Sequence, residues 1–433
     1  MSKAEHPMSR RESSGALGKL GTRPPRRIGA WISGALLLLL YLWIAAAGWS
    51  RPPVQDEIRY LGFADNLTHG FYSPPDAIHL WSSPGYPLLL APFREIGFGP
   101  GALRLLNAPL LLAAVWCFFR FLRNHLPDRA ALLGACALGL YFPVWKFLPS
   151  LMTEVLALFL VCLLLWAWSE ILRRERVSWA WLAVAGIAFA WLALTRAIFG
   201  YVLFACLAAC LVCAALTRMP SARRMLLAHL IAAALCLPWL ACTYSRTGKL
   251  FYWATSGGMS FYWMTSSGAG DFYGDWQGPN EVRDTAELAP HREFFRQLSL
   301  MDEVQCDDAL KAQARENLAA HPAVCLRNLA ANLSRIFFSF PYTHTEQKLS
   351  TLFYALPNSF LLAFTTLALV HLARRSREAV AALHPYLLFA AAGFTGTAFL
   401  SAYPRMLFPF VPIMLFLIAR DMQSGNPEPQ RQK

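Results

Sequence analysis

Several charged residues stand out in this chain because each borders or interrupts a long apolar stretch. Asp56 and Glu57 follow the apolar segment 28–48 by a few residues, in Gln55-Asp56-Glu57-Ile58-Arg59-Tyr60. Glu154 opens another segment in Thr153-Glu154-Val155-Leu156, Arg196 separates two more, and Arg405 opens the last in Tyr403-Pro404-Arg405. A carboxylate within an apolar helix is costly and by default marks a functional site. A positioned carboxylate serves as a general base, and arginines beside it bind phosphate and stabilise charge growing on a leaving group. Each also has a plainer reading. Asp56-Glu57 suits a solvated acidic pair outside a helix, which composition alone favours. Glu154 suits a helix-end acid that snorkels, and the arginines suit helix anchors.

The elements that must position these residues follow from composition. Of 433 residues, 56% are hydrophobic and only 15% charged, with mean hydropathy +0.37. A soluble chain carries about 25% charge, and 30 Phe, 15 Trp and 14 Tyr exclude disorder. Apolar segments at 28–48, 105–119, 130–145, 151–168, 179–194, 197–216, 225–242, 352–372, 385–400 and 406–419 predict about ten transmembrane helices. The alternating ten-residue segments of a transmembrane β-barrel are absent. The predicted fold is therefore an all-α polytopic membrane protein.

The net charge of +13 could signal nucleic acid, but its distribution signals topology. Threading ten spans puts 22 Lys/Arg and eight Asp/Glu on one side, a net of +14, and leaves −1 on the other. The basic side, with the tail 1–27 and the tail 421–433, is expected to be cytoplasmic. A cleaved signal peptide ending near Ala45-Ala46-Ala47 competes with an uncleaved first span, but that span is longer than a typical signal core and others follow.

Between a core of 28–243 and the last spans of 351–420, the outer face carries a first loop, 49–103, and a larger one, 244–350. The cytoplasmic connections are short and hold no phosphate-binding glycine loop. In the first loop, Tyr60, Ala64 and Leu67 recur at helical spacing and Gly70 ends a predicted interfacial helix. Pro84-Gly85-Tyr86-Pro87 opens a second interfacial or re-entrant segment. In the larger loop, 307–340 reads as helical with a break at His321-Pro322. Its aromatic runs, Phe251-Tyr252-Trp253 and Phe261-Tyr262-Trp263, suit an interfacial belt. His344 reads as an ordinary loop histidine. Cys206, Cys210 and Cys213 read as small-residue packing, while Cys306 and Cys325 could pair in an oxidising compartment or stay free.

Taken in order, these segments resemble the lipid-phosphosugar-dependent glycosyltransferases of the GT-C fold, in the branch of the protein O-mannosyltransferases and lipid A aminoarabinose transferases. The resemblance runs from Asp56-Glu57 through Gly70, Pro84-Gly85-Tyr86-Pro87 and Thr153-Glu154. It continues in Leu237-Pro238-Trp239 to Lys249, Ser256-Gly257-Gly258, and Ala402-Tyr403-Pro404-Arg405 with Pro409 and Pro412. Two positions depart from that pattern. Cys242-Thr243 stands where the family often has Arg-Asn, and Arg196-Ala197 where it has Arg-Pro.

The resemblance implies a sugar donor linked through phosphate to a polyprenol, and transfer outside the cytoplasm to a hydroxyl of a lipid, glycan or protein. It implies one inverting displacement with Asp56 as base, because a phosphate leaves without the second carboxyl that glycosidases use. Arg196, Arg405 and Arg246 are the implied phosphate ligands, Arg246 replacing the missing family arginine. Glu57, Glu154 and Tyr60 are implied to bind substrate. Some members of the fold hold a divalent metal, for which Asp56, His79 and Glu154 would be the ligands here, although no dense ligand spacing supports one. The expected setting is a bacterial inner membrane, and the sugar, hexose or pentose, stays open. A flippase for lipid-linked sugars would use the same charges without reacting, although the paired repeats of many transporters are absent.

Overall fold

The computed structural model describes residues 26–74, 76–217, 219–268, 272–344, 346–374, 383–400 and 402–424. Most of the basic tail 1–27, residues 425–433 of the C-terminal tail, and Arg218, Arg375 and Arg377 lie outside the described residues. Among the described residues every regular element is a helix. Helix α1 (Arg26–Ala46) leads to α2 (Asp56–Thr68), α3 (Gly85–Glu95) and the short α4 (Pro100–Leu105). The bundle continues with α5 (Asn107–Arg123), α6 (Asp128–Gly139) and α7 (Glu154–Arg173). Then come α8 (Trp179–Thr195), α9 (Ala197–Leu216) and α10 (Pro220–Thr247). A second layer holds α11 (Gly257–Thr265), α12 (Pro279–Asp284), α13 (Arg292–Leu298), α14 (Glu303–Ala320) and α15 (Pro322–Phe338). The chain returns to the bundle with α16 (Leu352–Ala373), α17 (His384–Leu400) and α18 (Val411–Ser424).

Among the described residues, six helical stretches are long and apolar enough to cross a membrane: Pro100–Arg123, Glu154–Arg173, Ala197–Leu216, Pro220–Thr247, Leu349–Ala373 and Pro404–Gln423. The other four expected spans fall on α1, whose apolar stretch runs over Ile32–Ala46, on α8 and α17, and in part on α6. The segment 130–145 is broken, since α6 stops at Gly139 and the chain resumes as a tight 3₁₀ turn, Phe142–Phe147. Pro143 in that turn lacks the amide needed to continue an α-helical ladder.

Helix α7 is the axis of the bundle, packed on α5, α8 and α10 and buried for most of its length. At one end, Asn124 donates to Ser169 Oγ (2.8 Å) and Glu170 Oε1 (3.0 Å), and Arg224 reaches the carbonyls of Arg174 and Glu175. Arg173 and Arg174 both pair with the buried Glu170 there, so basic residues crowd this end. The opposite end carries Asp56, Glu154, Arg196 and the second layer. Helix α3 is seated there because Gly85 has no Cβ: one would lie 2.5 Å from the backbone of Leu194 and Thr195. Trp191 Nε1 donates to the Gly85 carbonyl at 2.7 Å and fixes the contact.

The second layer has an apolar core of its own, built on Met259, Tyr262, Trp263, Leu288 and Leu310. The break expected at His321-Pro322 falls between α14 and α15. A capping box at Asp302 starts α14: the carboxylate accepts from the amides of Val304 and Gln305, and Gln305 returns a bond to the Asp302 amide.

Candidate active site

Helix α2 begins at the acidic pair, and successive helical residues point about 100° apart, so the two carboxylates part company. Glu57 turns inward and is 2% exposed. It accepts from Arg51 Nη2 (2.7 Å), Arg104 Nη2 (3.1 Å) and the amides of Val54 (3.1 Å) and Leu151 (2.7 Å). Arg104, fully buried, also donates to the carbonyls of Gly48 and Arg51. Glu57, expected to bind substrate, takes these donors from the protein and ties α2 to the segment just before α7.

Asp56 turns the other way, into a cavity of about 580 Å³ that Tyr60, Glu154, Arg196 and Arg405 also line. Arg59 Nη1 donates to Asp56 Oδ1 at 3.0 Å, while Arg405 Nη1 lies 3.9 Å from Oδ2, too far for a hydrogen bond. Glu154 is 1% exposed at the first turn of α7. Its Oε1 accepts from Arg196 Nη2 at 2.8 Å and lies 3.7 Å from Arg405 Nε. Its Oε2 is buried without a hydrogen-bond partner among the described residues. Arg196 is steadied by Thr153 Oγ1, which accepts from its Nε at 3.1 Å. Arg405 therefore stands between two carboxylates, hydrogen-bonded to neither, over the ring of Tyr403. Tyr60 packs edge-on against Tyr86, and burial, followed by the charges of Asp56 and Glu154, pushes its hydroxyl up to about 12. It stays protonated at neutral pH.

Arg246, expected to bind phosphate, and His79, the conditional metal ligand, are not among the residues lining this cavity. Arg246 donates to the carbonyls of Pro74 and Ser73, which ties the end of α10 to the first loop. His79 Nδ1 sits 3.1 Å from Glu303 Oε1 and its ring packs on Phe63. Asp56, His79 and Glu154 thus form no metal cluster, and no group of three His, Cys, Asp or Glu suited to a metal ion occurs among the described residues. Cys306 and Cys325 are both free thiols, as are Cys206, Cys210 and Cys213. His344 is pinned, its Nδ1 2.7 Å from the buried Asp275. Of the aromatic runs, Trp253 and Phe261 line the cavity, while Trp263 is buried in the second layer.

The sequence reading missed Trp81, Lys311 and the serines Ser256 and Ser260 as cavity residues. Arg59, which lies 5.1 Å over the Trp81 ring, was legible as the residue one turn after Asp56. Lys311 is one charge of a polar helix and gave no signal.

A family model described as dolichyl-phosphate-mannose-protein mannosyltransferase matches residues 82–241, which include Glu154 and Arg196. No curated protein matches the chain significantly. Among solved structures, the Archaeoglobus fulgidus oligosaccharyltransferase tethered to an acceptor peptide is similar, with TM-score 0.51 and 13% identity over 91% of this chain and 50% of that one. The apo form of the same enzyme gives TM-score 0.51 over 90% of this chain. The chain spans about half the length of these oligosaccharyltransferase chains. ArnT from Cupriavidus metallidurans bound to undecaprenyl phosphate is also found, at TM-score 0.42 and 14% identity, covering 91% of this chain and 78% of that one. The likeness to the oligosaccharyltransferase is one of fold: the chain has the polytopic helical architecture called GT-C.

Proposed function

We propose that this protein is a membrane glycosyltransferase that moves a sugar from a polyprenyl-phosphate donor to an acceptor hydroxyl outside the cytoplasm. One observation carries the reading: Asp56, the Glu154–Arg196 pair and Arg405 converge in a single cavity that also reaches apolar side chains of α9 and α17. A sugar phosphate with a lipid chain needs both kinds of wall. The charge balance also fits. Arg59, Arg196, Arg405 and Lys311 face Asp56, Glu154 and the Asp307 partner of Lys311, which leaves one positive charge over. A phosphodiester carries one negative charge.

In the proposed reaction the acceptor oxygen attacks the anomeric carbon and gives its proton to Asp56 Oδ2. The bond from that carbon to the phosphate oxygen breaks, the polyprenyl phosphate leaves with the electron pair, and the configuration inverts. Arg59 holds Oδ1 and so aims the carboxylate. Arg405, without a hydrogen bond to either acid, is free to meet the phosphate and the charge that grows on it. Glu154 Oε2, buried and unpartnered, is an acceptor for a sugar hydroxyl; a ligand that supplies this donor removes the cost of an unsatisfied buried oxygen.

The family description supports a lipid-phosphate sugar donor, since the matched segment holds Glu154 and Arg196. The test is transfer from a defined polyprenyl-phosphate sugar by purified protein in lipid, with an Asp56→Asn variant beside it. Loss of transfer in a well-folded variant supports the reading. Undiminished transfer in Asp56→Asn, or translocation of the donor by wild type with no new glycosidic bond, overturns it.

A further inference from the structure

Lys311 belongs to α14 in the second layer, yet its side chain lines the same cavity as Asp56 and Arg405. Glycines let α14 come so close to the start of α11. A Cβ on Gly258 would lie 2.6 Å from both the carbonyl oxygen and Oδ1 of Asp307, and one on Gly257 would meet Lys311 Cε at 4.0 Å.

The lysine's partner does not depend on it alone. Asp307, fully buried one turn earlier, accepts from the Gly258 amide at 2.7 Å and from the Tyr252 hydroxyl, besides Lys311 Nζ at 2.5 Å. Lys249 and Lys311 both stand over the Tyr252 ring, at 5.1 and 4.9 Å, but Lys249 pairs with Asp308, so the Gly258 amide and the Tyr252 hydroxyl are what Asp307 keeps if Lys311 turns away. The Lys311 side chain is itself 29% exposed.

Its position is at a boundary. Phe251, beside Tyr252, packs 5.5 Å from the ring of Tyr201 on α9, and Tyr201 also lines the cavity. Tyr201, near the start of α9, is itself half exposed, on a helix long and apolar enough to cross a membrane. Lys311 thus stands on the rim where the polar cavity meets the apolar side of the bundle.

We propose that Lys311 receives the phosphate of the lipid-linked donor at this rim, exchanging its bond to Asp307 for one to the phosphate. The proposal rests on the transferase reading and adds the second layer to the donor site. A headgroup whose chain lies against Tyr201 on α9 enters a cavity whose wall includes this ammonium, which favours the donor phosphate over an acceptor as its ligand.

The test uses full-length protein in lipid nanodiscs and two probes, polyprenyl phosphate and the unphosphorylated polyprenol, followed by tryptophan fluorescence. Lys311→Met is expected to weaken binding of polyprenyl phosphate about tenfold, the worth of one charge-assisted hydrogen bond. Lys311→Arg restores most of it, and neither changes binding of polyprenol. Lys311→Gln carries the same test if the methionine variant loses its fold. Equal affinity of wild type and Lys311→Met for polyprenyl phosphate overturns the role of Lys311 and leaves the transferase reading to the Asp56→Asn assay. Wild type that binds polyprenyl phosphate through Lys311 but transfers no sugar overturns the transferase reading alone. Wild type that does not prefer the phosphorylated probe overturns both.

Discussion

Glu57 and Arg104 form an ion pair 3.1 Å long with almost no access to solvent, one residue from the carboxylate proposed to act as base. Because Glu57 also accepts the Leu151 amide, the pair joins the start of α2 to the approach to α7, where Glu154 begins. Removing one member of a buried pair costs about 3–5 kcal/mol where the other charge is left uncompensated; Glu57 keeps Arg51, so the loss of Arg104 costs less than that but more than the loss of an exposed pair. Arg104→Met is therefore expected to lower thermal stability in detergent far more than Arg123→Met, whose partner Asp128 is exposed. Equal melting temperatures for the two variants would remove Glu57 and Arg104 from their positioning role.

Asp56→Asn keeps the size of the side chain and removes the proposed base. A positioned general base contributes about 10²–10⁴-fold, so turnover should fall within that range while donor affinity changes little. Single-turnover rates and donor binding, measured separately, check this. A drop confined to binding would reassign Asp56 to substrate recognition.

Arg405 and Arg246 should behave differently. Arg405 lies between Asp56 and Glu154 in the cavity, whereas Arg246 is spent on the carbonyls of Ser73 and Pro74. Arg405→Ala is expected to depress kcat/KM by about 10²-fold, the scale of one lost transition-state donor. Arg246→Ala should act mainly on stability. Comparable kinetic losses in both would mean that Arg246 reaches the phosphate after all.

Acid pH offers a test in the second layer. Burial pushes the Asp275 carboxyl up, but the His344 hydrogen bond, the charges of Arg335 and His344, and the Thr343 hydroxyl hold it below the usual value. A depressed folded pKa contributes stability in full above the unfolded value, about 3.9, and loses it as pH falls through the folded one. Melting temperature should drop below about pH 4, and Asp275→Asn, less stable at neutral pH, should drop less over that interval. Parallel curves for the two proteins would exclude Asp275 as the titrating group.

Much of the candidate site was legible in the sequence because charge is conspicuous in an apolar chain. Asp56, Glu154, Arg196 and Arg405 stand out at the ends of apolar segments, and the cavity brings them together. Direction was not legible. Nothing in Asp56-Glu57 says which acid faces the cavity, since that depends on Arg104 arriving from 47 positions away. Arg246 sits one turn after Cys242, and its reach is diverted by loop carbonyls that no spacing reveals. Lys311 was lost for the opposite reason, as an ordinary charge in a helix full of them. The helices themselves were legible at their apolar centres, but the stop of α6 at Gly139 depends on the Pro143 turn beyond it.

The separate core of the second layer has a consequence for how such a protein diversifies. Asp56, Glu154, Arg196 and Arg405 are fixed by bundle helices and their connections, while Ser256, Ser260, Phe261 and Lys311 enter from a unit with its own apolar interior. Substitutions around Tyr262 or Leu288 can reshape that wall without moving the charged residues of the bundle. One cavity can thus be refitted by remodelling only its roof.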